Sequence, residues 1–148
     1  DRLLTSEEDT NKVIEILADE FSWLNEKQAL VFMGHGTTHF SNSIYAALDY
    51  AFKDKGHPNI FLATVEAYPS IDSLKRLVDA YKPEEIVLAP FMIVAGDHAK
   101  NDMAGDDPDS WYNKFKAAGY KVTPILKGLG EYRGIQELFV EHLKTIEQ

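Results

Sequence analysis

Apolar residues fall in four short, nearly unbroken runs, at 29–33, 60–65, 86–91 and 121–126. Each is strand length and reads as a strand covered on both faces, as in a parallel sheet. Between the runs the apolar spacing changes to three and four. Ile44, Ala47, Leu48, Ala51 and Phe52 make one helical stripe, ended by Lys55-Gly56. Ile71, Leu74, Leu77, Val78 and Tyr81 make another, with Ser70 as N-cap and Lys82-Pro83 as the stop. A third helix is predicted to start at Asp107-Pro108-Asp109, with Asp as N-cap and Pro at the first helical position. It should bury Trp111, Phe115 and Ala118 and end at Gly119. A last helix, about 134–145, carries Ile135, Leu138, Phe139, Leu143 and, just beyond, Ile146. An opening helix, 6–23, has Ser6 as N-cap and Val13, Ile14, Leu17 and Phe21 on its apolar side. Strand–helix alternation of this kind predicts an α/β class: a four-stranded parallel sheet with helices on both faces, a three-layer sandwich. Pro124 cannot donate a ladder hydrogen bond, so the fourth strand belongs at an edge. The order 2-1-3-4 satisfies this and puts the switch point between strands 1 and 3.

In such a sheet ligands bind beyond the carboxyl ends of the strands, at the switch point. Three metal-ligand residues are predicted to sit there: His35 in Gly34-His35-Gly36-Thr37, Glu66 in Val65-Glu66-Ala67-Tyr68-Pro69, and His98 in Gly96-Asp97-His98. They are 31 and 32 residues apart, one strand–helix unit each time. Two imidazoles and a carboxylate suit a divalent transition metal. His98 also lies in 93–106, the longest stretch predicted to be irregular, and connections that long are usually functional. Asp97 and Asp102 flank His98 and could orient its ring or receive protons. Asp106, Asp107 and Asp109 read as caps and dipole partners, because the alternating pattern of a calcium loop is absent.

The remaining histidines carry less. His39 is an auxiliary candidate, His57 sits in a surface turn, and His142 borders the last apolar stripe. Gly34-His35-Gly36 lacks the further glycines and the Lys-Ser/Thr pair of nucleotide loops, so no nucleotide is expected. Gly128-Leu129-Gly130-Glu131 reads first as a turn, whose free N–H groups could also hold a carboxylate.

Composition narrows the classes. At 148 residues with 45% hydrophobic and 26% charged side chains, the chain is one soluble-type domain. It has no cysteine, which removes thiolate ligands and thiol nucleophiles. No apolar run approaches membrane-helix length, so no membrane partner is expected. A net charge of −9 without a basic cluster argues against nucleic acid. The chain starts at Asp1 rather than Met, as a processed product or a fragment would.

The strings Gly34-His35-Gly36-Thr37, Val65-Glu66-Ala67-Tyr68-Pro69, Val94-Ala95-Gly96-Asp97-His98-Ala99-Lys100-Asn101-Asp102-Met103 and Gly128-Leu129-Gly130-Glu131 together resemble the anaerobic cobalt chelatases, the sirohydrochlorin cobaltochelatase family. The Asp-His-Ala-x-Asn-Asp-Met element is the most specific of these. The resemblance runs over 29–148 and covers the C-terminal half of that family's two-half architecture. It implies a chelatase-like, flavodoxin-like domain at 29–148, with 1–28 as the helix between halves. It further implies ATP-independent insertion of Co²⁺, as substrate metal, into a sirohydrochlorin-type tetrapyrrole during cobalamin synthesis. His35, Glu66 and His98 match the family's catalytic metal ligands by motif. Lys100, with Lys127, Arg133 and the turn at Gly128 and Gly130, would offset the substrate's carboxylates. The implied partner is an absent N-terminal half or a second copy of the chain, in the cytoplasm, with the periplasm left open. A non-catalytic metal or tetrapyrrole carrier, or a chelatase for Ni²⁺ or Fe²⁺, would use the same cleft.

Overall fold

The four apolar runs fold as four parallel strands in the order β2-β1-β3-β4. The computed structural model describes residues 7–35, 43–66, 68–92 and 96–147. Along the chain come α1 (Glu7–Glu20), β1 (Gln28–Gly34), α2 (Ser43–Asp54), β2 (Ile60–Thr64), α3 (Ile71–Tyr81) and β3 (Glu85–Pro90). Then follow α4 (Asp97–Ala104), α5 (Trp111–Ala117), β4 (Lys121–Pro124), a short 3₁₀ turn (Leu129–Glu131) and α6 (Arg133–Glu147).

Strand alternation divides the core. Leu30 and Phe32 of β1, Ile60 and Leu62 of β2, and Val87 and Ala89 of β3 face one layer, where α1 contributes Val13, Ile14 and Leu17 and α6 contributes Ile135 and Leu138. Ala29, Val31, Met33, Phe61, Ala63, Ile86 and Leu88 face the other, against Leu74 and Val78 of α3, Met103 of α4, and Trp111 and Phe115 of α5. Burial of each large side chain contributes about 1.5–3 kcal/mol. Both faces therefore contribute to holding the strand ends in place beneath a site at their rim.

Four local expectations are corrected. Within the stretch 93–106, expected to be irregular, residues 97–104 form α4, and 93–95 lie outside the described residues. Ala99 and Met103, four apart, give this short helix its inward face, and the polar residues around them hide the period. The start of α5 is Ser110, whose hydroxyl accepts the Asn113 N–H at 3.2 Å. Asp107 instead closes a local turn by accepting the Asp109 N–H at 2.7 Å. The fourth strand stops at Pro124, with one further bond from the Ile125 N–H to Leu88 O. Ala47, Leu77 and Ala118, expected on apolar faces, are exposed. Ser6 lies outside the described residues.

The outward edge of β2 is closed by side chains and turns, which matters because an open edge invites foreign strands. The Ile60 N–H donates to His57 O, the Leu62 N–H to Asp49 Oδ1 at 2.9 Å, and the Thr64 N–H to Pro69 O at 2.7 Å. Lys53 Nζ donates to Ile60 O at 2.8 Å and to Asp49 at 2.9 Å, and lies 4.1 Å from the centre of the Phe61 ring. Burial pulls the Lys53 ammonium below its usual range, and Asp49 opposes that shift. Two residues of α2 thus fix the strand that leads to Glu66.

Candidate metal centre

The end of β1 is built for close approach. A Cβ on Gly34 would meet the Tyr45 ring at 2.6 Å, so any larger residue there would force that ring of α2 to shift from its place behind the strand end. The Val65 N–H donates to Gly34 O at 3.0 Å and the Glu66 N–H to His35 O at 3.2 Å, carrying the β1–β2 pairing past the last ladder residues. His35 and Glu66 are therefore neighbours by strand register. His35 Nε2 lies 2.9 Å from Glu66 Oε2, with both side chains well exposed, at 61% and 59%.

That contact needs a proton between nitrogen and oxygen. A divalent ion binding the same two atoms would take the proton's place, so the pair is a ready partial donor set. The connection bearing Glu66 is pinned at its base. Pro69 O accepts from both the N–H and the hydroxyl of Thr64, at 2.7 and 3.2 Å.

The third predicted ligand, His98, is the second residue of α4, which Gly96 caps in an extended conformation. The His98 side chain lies outside the described residues, as do His39, Gly36 and Thr37. Among the described side chains, no group of three or more His, Cys, Asp or Glu gathers closely enough to hold an ion. The structure thus brings together two of the three expected ligands. Asp97 and Asp102 are exposed on α4, and Lys100, partly buried, makes no ion pair among the described residues. His57 lies in the α2–β2 turn, away from the pair, as expected.

Residues 128–131 form the expected turn, with a 3₁₀ turn at Leu129–Glu131. The Gly128 N–H, which on the second reading could hold a ligand carboxylate, donates instead to Glu131 Oε2 at 2.8 Å. The Leu129 N–H donates to Met92 O at 2.7 Å, and the Glu131 N–H to Gly128 O at 3.1 Å. The chain's own carboxylate fills the cradle, and the Leu129 bond ties the turn to the end of β3. Beside it, Lys127 Nζ lies 4.3 Å from the centre of the Tyr132 ring. Burial pushes the Tyr132 hydroxyl up to about 12, with Glu20 and Glu131 adding to the shift.

Sequence reasoning gave no role to Tyr68 or Leu126. Both are exposed apolar side chains just beyond strand ends, Tyr68 at 69% and Leu126 at 48%. The only signal available was their place within or beside the quoted motifs.

Comparison with known proteins agrees with the motifs. The family model described as cobalt chelatase (CbiK) matches residues 2–148. A sirohydrochlorin cobaltochelatase of Salmonella typhimurium is 42% identical over 144 residues, 95% of this chain and 53% of that protein. Sirohydrochlorin cobaltochelatase CbiKC of Nitratidesulfovibrio vulgaris is 35% identical over 116 residues, 78% of this chain and 41% of that protein. The chain therefore spans about half the length of the curated relatives it matches. A crystal structure described as a cobalamin (vitamin B12) biosynthesis CbiX protein from Marinobacter aquaeolei VT8 superposes with a TM-score of 0.58 at 18% identity. It covers 80% of this chain and 98% of its own, and shares the fold. With the specific motifs, the sheet order and a family model matched over nearly its full length, this chain belongs to the cobalt chelatase (CbiK) family.

Proposed function

We propose that this chain carries the metal-inserting half of a cytoplasmic, ATP-independent chelatase that places Co²⁺ in a sirohydrochlorin-type tetrapyrrole for cobalamin synthesis. The observation that carries the reading is the His35–Glu66 contact of 2.9 Å at the sheet's carboxyl edge, within the strings at 34–37 and 65–69 that resemble the chelatases. His98, one strand further along that edge, supplies the second imidazole. Co²⁺ is the substrate metal, held by nitrogen and carboxylate oxygen with open positions left for the ring.

The reaction balances as one Co²⁺ and one metal-free ring giving one metallated ring and two protons. Each proton leaves a pyrrole nitrogen as the metal arrives, so a base must stand beside the ring. An imidazole released by the departing metal takes one proton, and Glu66 or Asp97 relays protons to water. Lys100 offsets ring carboxylates. The turn at Gly128 and Gly130 joins it only when Glu131 swings off the Gly128 N–H.

One observation favours a second reading. Because the chain spans 53% and 41% of two curated relatives, it could hold metal or ring without turning over. The test is an anaerobic visible-absorption assay of Co²⁺ insertion into sirohydrochlorin, with ring in large excess over chain. Repeated turnover is expected. A single stoichiometric burst would establish a carrier instead, and faster insertion of Ni²⁺ or Fe²⁺ would reassign the metal.

A further inference from the structure

Six large apolar side chains are about half exposed or more among the described residues: Trp23, Tyr50, Tyr68, Leu77, Leu126 and Val140. Single exposed apolar residues are ordinary on a protein surface. Four of these fit that description, being spread over the α1–β1 connection, α2, α3 and α6. Tyr68 and Leu126 do not. Each follows the carboxyl end of an outermost strand, Tyr68 after β2 and Leu126 after β4. They therefore bracket the stretch of edge that holds His35 after β1 and leads from β3 into α4.

Three inter-strand spacings separate β2 from β4, roughly 14 Å across. That breadth matches a tetrapyrrole macrocycle, which is flat, conjugated and apolar on both faces. Neither side chain hangs on a loose segment. The Tyr68 connection is closed by the two Thr64 bonds to Pro69 O, and the chain after Leu126 is anchored by the Leu129 bond to Met92 O. Charge fits the same occupant. Lys127 directly follows Leu126, and Lys100 lies on α4 between the two ends, where a ring's peripheral carboxylates would fall.

We propose that Tyr68 and Leu126 form the two ends of an apolar rim that seats the tetrapyrrole plane over the His35–Glu66 pair. The inference rests on the chelatase reading and assigns its ring-contact residues. Tyr68 stacks on or against the macrocycle, and Leu126 packs at the opposite side. Neither takes part in proton or metal transfer, so their contribution lies in ring affinity and in KM.

The test is an anaerobic titration of metal-free sirohydrochlorin into the full chain, followed by the shift of its visible bands, with steady-state insertion measured alongside. Tyr68→Ala and Leu126→Ala should each weaken ring binding and raise KM about tenfold. They should leave kcat within about twofold and Co²⁺ affinity unchanged, as expected of uniform substrate binding. Tyr68→Phe should behave as the parent, because the ring face and not the hydroxyl makes the contact. Tyr50→Ala, removing an equally exposed tyrosine from α2, is the control and should change nothing. If the parent binds and metallates the ring while Tyr68→Ala and Leu126→Ala match it, the rim is overturned and the chelatase reading stands. If the parent produces no band shift at all, both fall together.

Discussion

Glu66 meets His35 because two strand ends in register leave them facing, so each is useful only while the other is present. Glu66→Gln keeps the shape of that side chain and removes its charge. Co²⁺ affinity, followed by its ligand-field bands, should fall on the order of 10–100-fold. His35→Ala should lose at least as much, and the double variant little more than the worse single one, because the two atoms act on one ion. Unchanged affinity in either variant would mean that the ion binds elsewhere. These two proposed ligands were legible in the sequence because each follows an apolar run too plain to misplace. Tyr68 was not, since an aromatic residue beside a strand reads by default as core, and its exposure depends on how Thr64 closes the following connection on Pro69. The filling of the Gly128 cradle was also hidden, because it depends on one Glu131 rotamer folding back over three residues.

At the scale of elements, the strand order and the two-faced core followed from the runs and from Pro124, and the Ser70 cap of α3 followed from its stripe, while the start of α5 did not. The Asp107-Pro108-Asp109 signal is strong locally, yet Asn113 Nδ2 bonds the carbonyls of Gly105, Asp106 and Asp107 and makes 105–110 a separate turn. Side-chain bonds across such distances leave no periodic trace. The same holds at the opposite edge of the sheet, where Glu85 of β3 joins three strands. Gln28 Nε2 of β1 donates to one oxygen at 3.0 Å, and Thr123 Oγ1 of β4 to the other at 2.6 Å. The Thr123 hydroxyl first, then the Gln28 amide, hold the Glu85 carboxyl below its ordinary value of 4.5. A carboxylate depressed in the folded state adds stability above its unfolded value, and that stability is lost as pH falls through the folded value. Glu85→Gln should therefore be less stable than the parent at pH 7, by on the order of 1 kcal/mol after discounting for partial exposure. Urea midpoints measured downward from pH 7 should begin to converge near pH 4.5 and meet only once pH falls below the lowered folded value, where the parent side chain is itself neutral. A gap that persists at low pH would assign the loss to packing rather than to the charged hydrogen bonds.

For the whole molecule, the decisive quantity is how much water reaches the pair. With His35 and Glu66 about three-fifths exposed on one sheet edge, the metal and its ligands would compete with bulk solvent, and a second surface is needed to exclude it. A second copy of the chain can supply that surface by placing its own carboxyl edge over the ring. Insertion by this chain alone should then rise more steeply than linearly with chain concentration, until pairing saturates. Net charge adds a second signature. Two chains of −9 repel each other, and the range of that repulsion shrinks with the Debye length, from about 30 Å at 0.01 M to about 10 Å at 0.1 M salt. The steep region should therefore move to lower chain concentration as salt rises over that range. A strictly linear dependence with repeated turnover would show that one sheet edge, with Tyr68 and Leu126 gripping the ring, encloses the metal well enough by itself.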